Sequence, residues 1–262
     1  MTSRLWAAGL ATAVAWGCGY LSAAELQSHR AIYRLSLAKP AAESGFLDVS
    51  GALVIEWRET CEGWLSRQRL GFVAATGEGE GVTYDVRFSS WESRDRTRIR
   101  FALRSYDGSQ LVEEYQGEAV LAAPGAAGRA RYQRPQAREM ELPAGTMFPT
   151  EQIARLIEDA RASRRLVQYT VFDGSGPQAL NTVSAVIGEP REVAAADGTR
   201  SRRWPVSLAY FAADAATDSP DFEIAFDLDE RGILYDVALD YGAFSLRGEL
   251  DQLELLEAER CR

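Results

Sequence analysis

The side chains best suited to covalent or acid–base chemistry in this sequence are few: one histidine, three cysteines and some closely spaced acids. His29 stands alone, so a serine or cysteine nucleophile activated by imidazole would have to use it, and no Gly-x-Ser-x-Gly elbow accompanies it. At the entrance of the first strand pattern, it reads more plainly as a structural residue. Glu113 with Glu114, and Asp227 with Asp229, could serve as paired carboxyls if held about 5 Å apart for a retaining glycosidase or about 6.5–9.5 Å for an inverting one. Strand neighbours of this kind usually form a solvated acidic face.

No Walker loop, dinucleotide fingerprint, HExxH or EF-hand loop is present. Gly77 to Gly81, in "TGEGEG", lacks the lysine and following helix that cradle a phosphate, and reads as an acidic hairpin tip. The sequence calls for no metal and no organic cofactor. Arg94, Arg96, Arg98 and Arg100 recur at every second position, which in a strand puts them on one face. Such a stripe could meet an anionic partner, a lipid headgroup or an acidic peptide. The plainer reading is a water-facing strand neutralised by Asp85 and Glu92.

Cys18 lies in an N-terminal segment of distinct character. Residues 1–24 carry one charge, Arg4, then an apolar run from Leu5 to Leu21, and end in the small residues Ser22, Ala23 and Ala24. This is the pattern of a secretory signal cut after Ala24. Gly17 before Cys18 would suit lipid attachment, but Trp16 and Ala15 would not, and the plainer expectation is that Cys18 is discarded with the signal. No later stretch approaches the roughly 18 to 20 apolar residues of a membrane-spanning helix. Residues 25–262 are therefore expected to form an exported, soluble protein. Loss of Arg4 takes the formal net charge from −9 to −10, which argues against general nucleic-acid binding.

The elements that must position these residues are strands. Val82, Tyr84, Val86 and Phe88 alternate with polar residues, as do Ile99, Phe101 and Leu103, and Phe222, Ile224, Phe226 and Leu228. That period of two marks antiparallel strands with one wet face. Asp107-Gly108, Asp173-Gly174, Asp197-Gly198 and Arg231-Gly232 supply turns between such runs. Ala122 to Gly128, Ser175 to Gln178 and Ala212 to Pro220 read as loops.

One helix is predicted near 150–162, capped by Thr150 with Pro149 ahead of it, and with Ile153, Leu156, Ile157 and Ala160 at helical spacing. Its arginines, Arg155, Arg161, Arg164 and Arg165, should face water. A dozen or more strands with one short amphipathic helix imply an all-β, mainly antiparallel body, strongly curved or barrel-like, whose concave side the helix can cover. The aromatic residues Trp57, Trp64, Trp91, Trp204, Tyr235, Tyr241 and Phe244 are mostly expected in its core, with some free to line a cleft for an apolar ligand.

The segments "SHRAIYRLSL", "VSGALVIEWRETCEGW", "LPAGTMFPTEQ", "VFDGS" and "LDYGAFSLRGELDQLELLEAERC" resemble those of the EipB family of periplasmic cell-envelope integrity proteins. The resemblance runs over nearly the whole mature chain, in the same order. It implies a single β-spiral domain over residues 25–262, a disulfide between Cys61 and Cys261, a role in maintaining the envelope, and a tetratricopeptide-repeat protein as partner. Beside it stands the cysteine count: once the signal is cut only one pairing is possible, in an oxidising compartment. A reduced redox or metal pair is the alternative, but two cysteines without nearby histidines make a poor metal set. Three functions follow as expectations: a noncatalytic periplasmic binding scaffold, a carrier of lipid or another apolar ligand, and, more remotely, an envelope glycan hydrolase.

Overall fold

A computed structural model of the chain describes residues 25–39, 45–77, 81–194, 200–213 and 219–261. The signal segment with Cys18, the Asp197-Gly198 turn, residues 78–80 of the "TGEGEG" tip and the middle of the 212–220 loop lie outside them. Among the described residues the chain forms one helix and sixteen strands.

Fifteen strands follow one hydrogen-bonded path. It starts at β8 (Arg138–Leu142) and runs through β7 (Gly128–Arg134), β6 (Gln110–Leu121), β5 (Arg98–Asp107), β4 (Val82–Ser93), β3 (Gly63–Thr76), β2 (Phe46–Thr60) and β1 (His29–Lys39). It continues through β16 (Ser245–Leu255), β15 (Leu234–Asp240), β14 (Phe222–Asp229), β13 (Arg200–Ala212), β11 (Leu180–Ile187) and β10 (Leu166–Phe172) to β9 (Thr146–Met147). β12 (Arg191–Ala194) pairs with β13 outside this path. Every pairing is antiparallel except β9 with β10. The two ends of the path, β8 and β9, are joined in the chain by residues 143–145 alone, so the sheet curls back on itself into a nearly closed barrel. This is the curved all-β body that the alternation of the sequence predicts.

The first and last strands meet side by side: β16 lies between β1 and β15, with Ala31 opposite Leu253 and Leu35 opposite Gly248. The C-terminal strand is therefore an inner strand held by its ladders, and Leu253 and Leu255 face outward. Beyond it the tail is tied by Leu256 N–H to Ser28 O at 2.8 Å and by Cys61 N–H to Glu259 Oε2 at 3.1 Å. The Cys61–Cys261 disulfide closes this tail onto the turn between β2 and β3, with Cα atoms 5.4 Å apart.

The helix α1 spans Pro149–Arg161. Thr150 is not its cap: Phe148 holds the N-cap position without a side-chain bond, and Pro149 takes the first turn, where a missing N–H costs nothing. Leu156, Ile157 and Ala160 are buried in one cluster with Tyr169, Val183 and Leu228, as their spacing predicts. Arg155, Arg161, Arg164 and Arg165 pair with Glu158, Glu230, Asp159 and Glu189 at the surface. A second cluster, with Ile99, Phe101, Ala119, Phe148 and Phe172, joins β5 to β8 to the opposite end of the path.

Candidate functional site

The inward faces of β2 to β5 and of β10, β11 and β13 to β15 do not meet. Between them lies a cavity of about 510 Å³, covered at one side by the first turn of α1. That volume falls within the ~300–1,000 Å³ of small-molecule sites. Ile55, Leu70, Val86 and Phe88 wall one side; Val171, Leu208, Ile224 and Phe226 wall the other. Each comes from the apolar phase of a period-two strand, so the alternation that builds the barrel also makes its interior apolar.

A cluster of seven rings extends from the wall of the cavity. Phe46 and Phe72, each against Tyr84, contact Phe244, which continues through Tyr241 and Phe222 to Tyr210, with adjacent centroids 5.0 to 6.4 Å apart. Tyr210, Phe222 and Tyr241 line the cavity itself, and burial pushes both tyrosine hydroxyls up to about 12.

Polar groups gather where α1 begins. Glu92, 4% exposed, accepts the Thr150 N–H at 3.1 Å with each oxygen and so caps the helix from a neighbouring strand. Burial pushes its carboxyl up to about 7, an effect the Thr150 contacts oppose and nearby Glu151 adds to. Asp173 is also raised, by burial, although the Ser175 N–H donates to it at 2.8 Å. Its loop sits close because residue 174 is glycine: at φ +76°, a Cβ there would stand 2.2 Å from the Phe101 ring. Gln152, 4% exposed, lines the cavity beside the Tyr210 hydroxyl, yet its Nε2 makes no contact of hydrogen-bond geometry. Trp57, also in the wall, leaves Nε1 without a partner.

Glu92, expected from the sequence on a wet face neutralising arginines, is instead buried against the helix. The signal was present: Ser90 and Glu92 continue the inward phase of Val82, Tyr84, Val86 and Phe88. Asp85 does not meet the arginine stripe: it pairs with Arg69 at 2.8 Å and Arg87 at 2.6 Å, and these pairs hold its carboxyl below the usual range against the opposing effect of burial.

The four arginines do not form one strand face either, because β4 ends at Ser93 and β5 begins at Arg98. Arg94 lies in the turn, bonded to Glu59 and the Thr60 carbonyl at 3.0 Å. Arg96, at φ +59°, reaches Glu151 on the helix at 3.2 Å. Arg98 is exposed, and Arg100 stacks over Trp91 at 5.4 Å.

The remaining candidates lie apart from the cavity. His29, 1% exposed, donates from Nδ1 to the Gln27 carbonyl at 2.7 Å, and burial lowers its pKa, leaving a neutral ring packed edge-on against Trp57. Glu113 is exposed and Glu114 pairs with Arg104 at 2.9 Å. Asp227 pairs with Arg191, whereas buried Asp229 accepts the Arg231 and Ile233 N–H groups at 2.9 Å and organises a turn. Cys61 and Cys261 are consumed in their bond. Among the described residues no group of three or more His, Cys, Asp or Glu side chains could hold a metal, and no helix is long and apolar enough to cross a membrane.

Comparison with known proteins agrees with this architecture. The chain is 30% identical to the cell envelope integrity protein EipB of Brucella abortus (strain 2308) over 269 aligned positions, covering 98% of this chain and 92% of that protein. A crystal structure of a beta-barrel-like protein of domain of unknown function DUF1849 from Brucella abortus superposes with a TM-score of 0.82 at 30% identity, covering 90% of this chain and all of that one. The EipB-like family model matches residues 21–257, and the chain belongs to the EipB-like family.

Proposed function

We propose that this protein supports the bacterial cell envelope as a noncatalytic periplasmic binding protein, and that its barrel interior holds an apolar ligand. The envelope role rests on the relative named for cell envelope integrity. The binding role rests on one observation above all: the inward faces leave about 510 Å³ open between apolar walls that a core would fill. Among the described residues that line it there is no histidine or cysteine. The histidine is buried elsewhere, and the acids in the cavity are engaged with backbone N–H groups. A scaffold role is compatible with this reading, since the ligand would occupy only the interior, and a tetratricopeptide-repeat protein is the partner class we would test.

Native mass spectrometry of protein gently isolated from the periplasm tests the ligand. A lipid-sized adduct that disappears in Ile224→Trp is the expected result. A bare mass in the wild-type protein, with no uptake of added lipid, would remove the carrier reading and leave only the scaffold.

A further inference from the structure

The cavity has a charge character that apolar walls do not dictate. Its described lining contains three carboxyl residues, Glu92, Asp173 and Asp221, and no lysine or arginine. Arginine is not scarce in the chain, and several arginines lie on the outer surface of β1 to β5, where Arg67, Arg69, Arg87 and Arg104 each pair with an acid. The interior is thus without cations in a protein whose outer wall is studded with them.

The same interior has unused hydrogen-bonding capacity. Gln152 Nε2, beside the Tyr210 hydroxyl but without a contact of hydrogen-bond geometry, and Trp57 Nε1, without a partner, are buried donors, and leaving such a donor unpaired is costly. A ligand that supplied an acceptor to them would recover part of that cost. Its own donor would find the free lone pairs of Glu92 or Asp173. A carboxylate or phosphate could satisfy the donors, but would have to enter beside three acids with no opposing cation.

Resting on the carrier reading above, we infer that the cavity takes a single acyl or alkyl chain ending in an uncharged head that both donates and accepts hydrogen bonds, a hydroxyl or an amide, and discriminates against anionic heads. The chain would lie among Leu70, Val86, Ile224 and Phe226, with the head toward Glu92 and Gln152.

Calorimetric titration of the mature protein at pH 8 with monolauroylglycerol and with laurate, both below micelle formation, tests this. Monolauroylglycerol is expected to bind about tenfold tighter, equivalent to about 1.4 kcal/mol. Glu92→Gln and Asp173→Asn should each narrow the gap by strengthening laurate binding, a change that mere loss of fold would not produce. Ile224→Trp should abolish binding of both while far-ultraviolet circular dichroism is retained. A preference below about threefold, or one for laurate, would overturn the head-group inference while leaving the carrier reading in place. Binding of neither ligand would overturn both.

Discussion

Two regions of the same barrel use the same strand pattern to opposite ends. Around α1, the inward residues Tyr169, Val183 and Leu228 meet Leu156 and Ile157 of the helix and are buried below a tenth of their surface. Across β2 to β4, the inward residues Ile55, Leu70, Val86 and Phe88 are only partly buried, because only the first turn of the helix reaches over them. Alternation therefore specifies which face is apolar but not whether that face becomes core or chamber. The filler decides, and here one three-turn helix fills only part of a sixteen-stranded shell.

If that contrast is sound, equal truncations should cost unequal amounts. Leu156→Ala, in the packed region, is expected to lose about 2–5 kcal/mol in chemical denaturation. A loss below about 1 kcal/mol would mean the helix is not the core of its half.

The hollow region should depend more on covalent closure, since the disulfide ties the β2–β3 turn to the tail. The chain-entropy model gives about 5 kcal/mol for a separation of 200 residues, and measured bonds cluster nearer 2–4 kcal/mol. Replacing Cys61 and Cys261 together by serine should therefore lower stability by about 2–4 kcal/mol. No change in the urea midpoint would show that the β1–β16 ladder alone holds the tail.

At the border between the regions sits Glu92, and its effect has a sign that pH reveals. Its folded pKa of about 7 lies above the ordinary 4.5, so the folded state holds the proton that the unfolded state releases. Stability is full below about pH 4.5, falls as pH rises to about 7, and stays lowered above it. Glu92→Gln keeps an oxygen acceptor for the Thr150 N–H and should be more stable than wild type at pH 8 by up to about 3 kcal/mol, with little difference at pH 4.5. Asp173, raised by burial as well, would leave some slope behind. A variant less stable than wild type at both pH values would contradict this account of Glu92.

The smallest effect belongs to the chamber wall. Ile224→Ala should cost about 1 kcal/mol or less, since its side chain already faces open space and its loss enlarges a cavity rather than creating one. A cost matching Leu156→Ala would erase the distinction between the two regions.

How much of this could be read from the residues follows the same division. Short-range patterns are legible: strands through Val82–Phe88, Ile99–Leu103 and Phe222–Leu228, and a helix with Leu156 and Ile157 inward; the long-range pairing of Cys61 with Cys261 follows instead from the family resemblance and the count of two cysteines after the signal. Interruptions are not legible. The turn at 94–97 breaks an arginine repeat that looks continuous in sequence, because an i, i+2 pattern carries no record of where a strand stops. The helix cap is not legible because the group that satisfies the Thr150 N–H comes from residue 92, far away in sequence. The cavity was not legible as a site, since its walls come from nine strands and its residues are ordinary apolar ones. An acid continuing the apolar phase of β4 was its one local sign.

The central claim is that the space between these walls is a ligand chamber. Photocrosslinking with a monoacylglycerol carrying a diazirine at the chain end, followed by peptide mapping, addresses it directly. The account predicts adducts on inward residues of β2 to β5 and of β13 and β14, suppressed in Ile224→Trp. Adducts confined to the outer face, or unchanged in that variant, would contradict it.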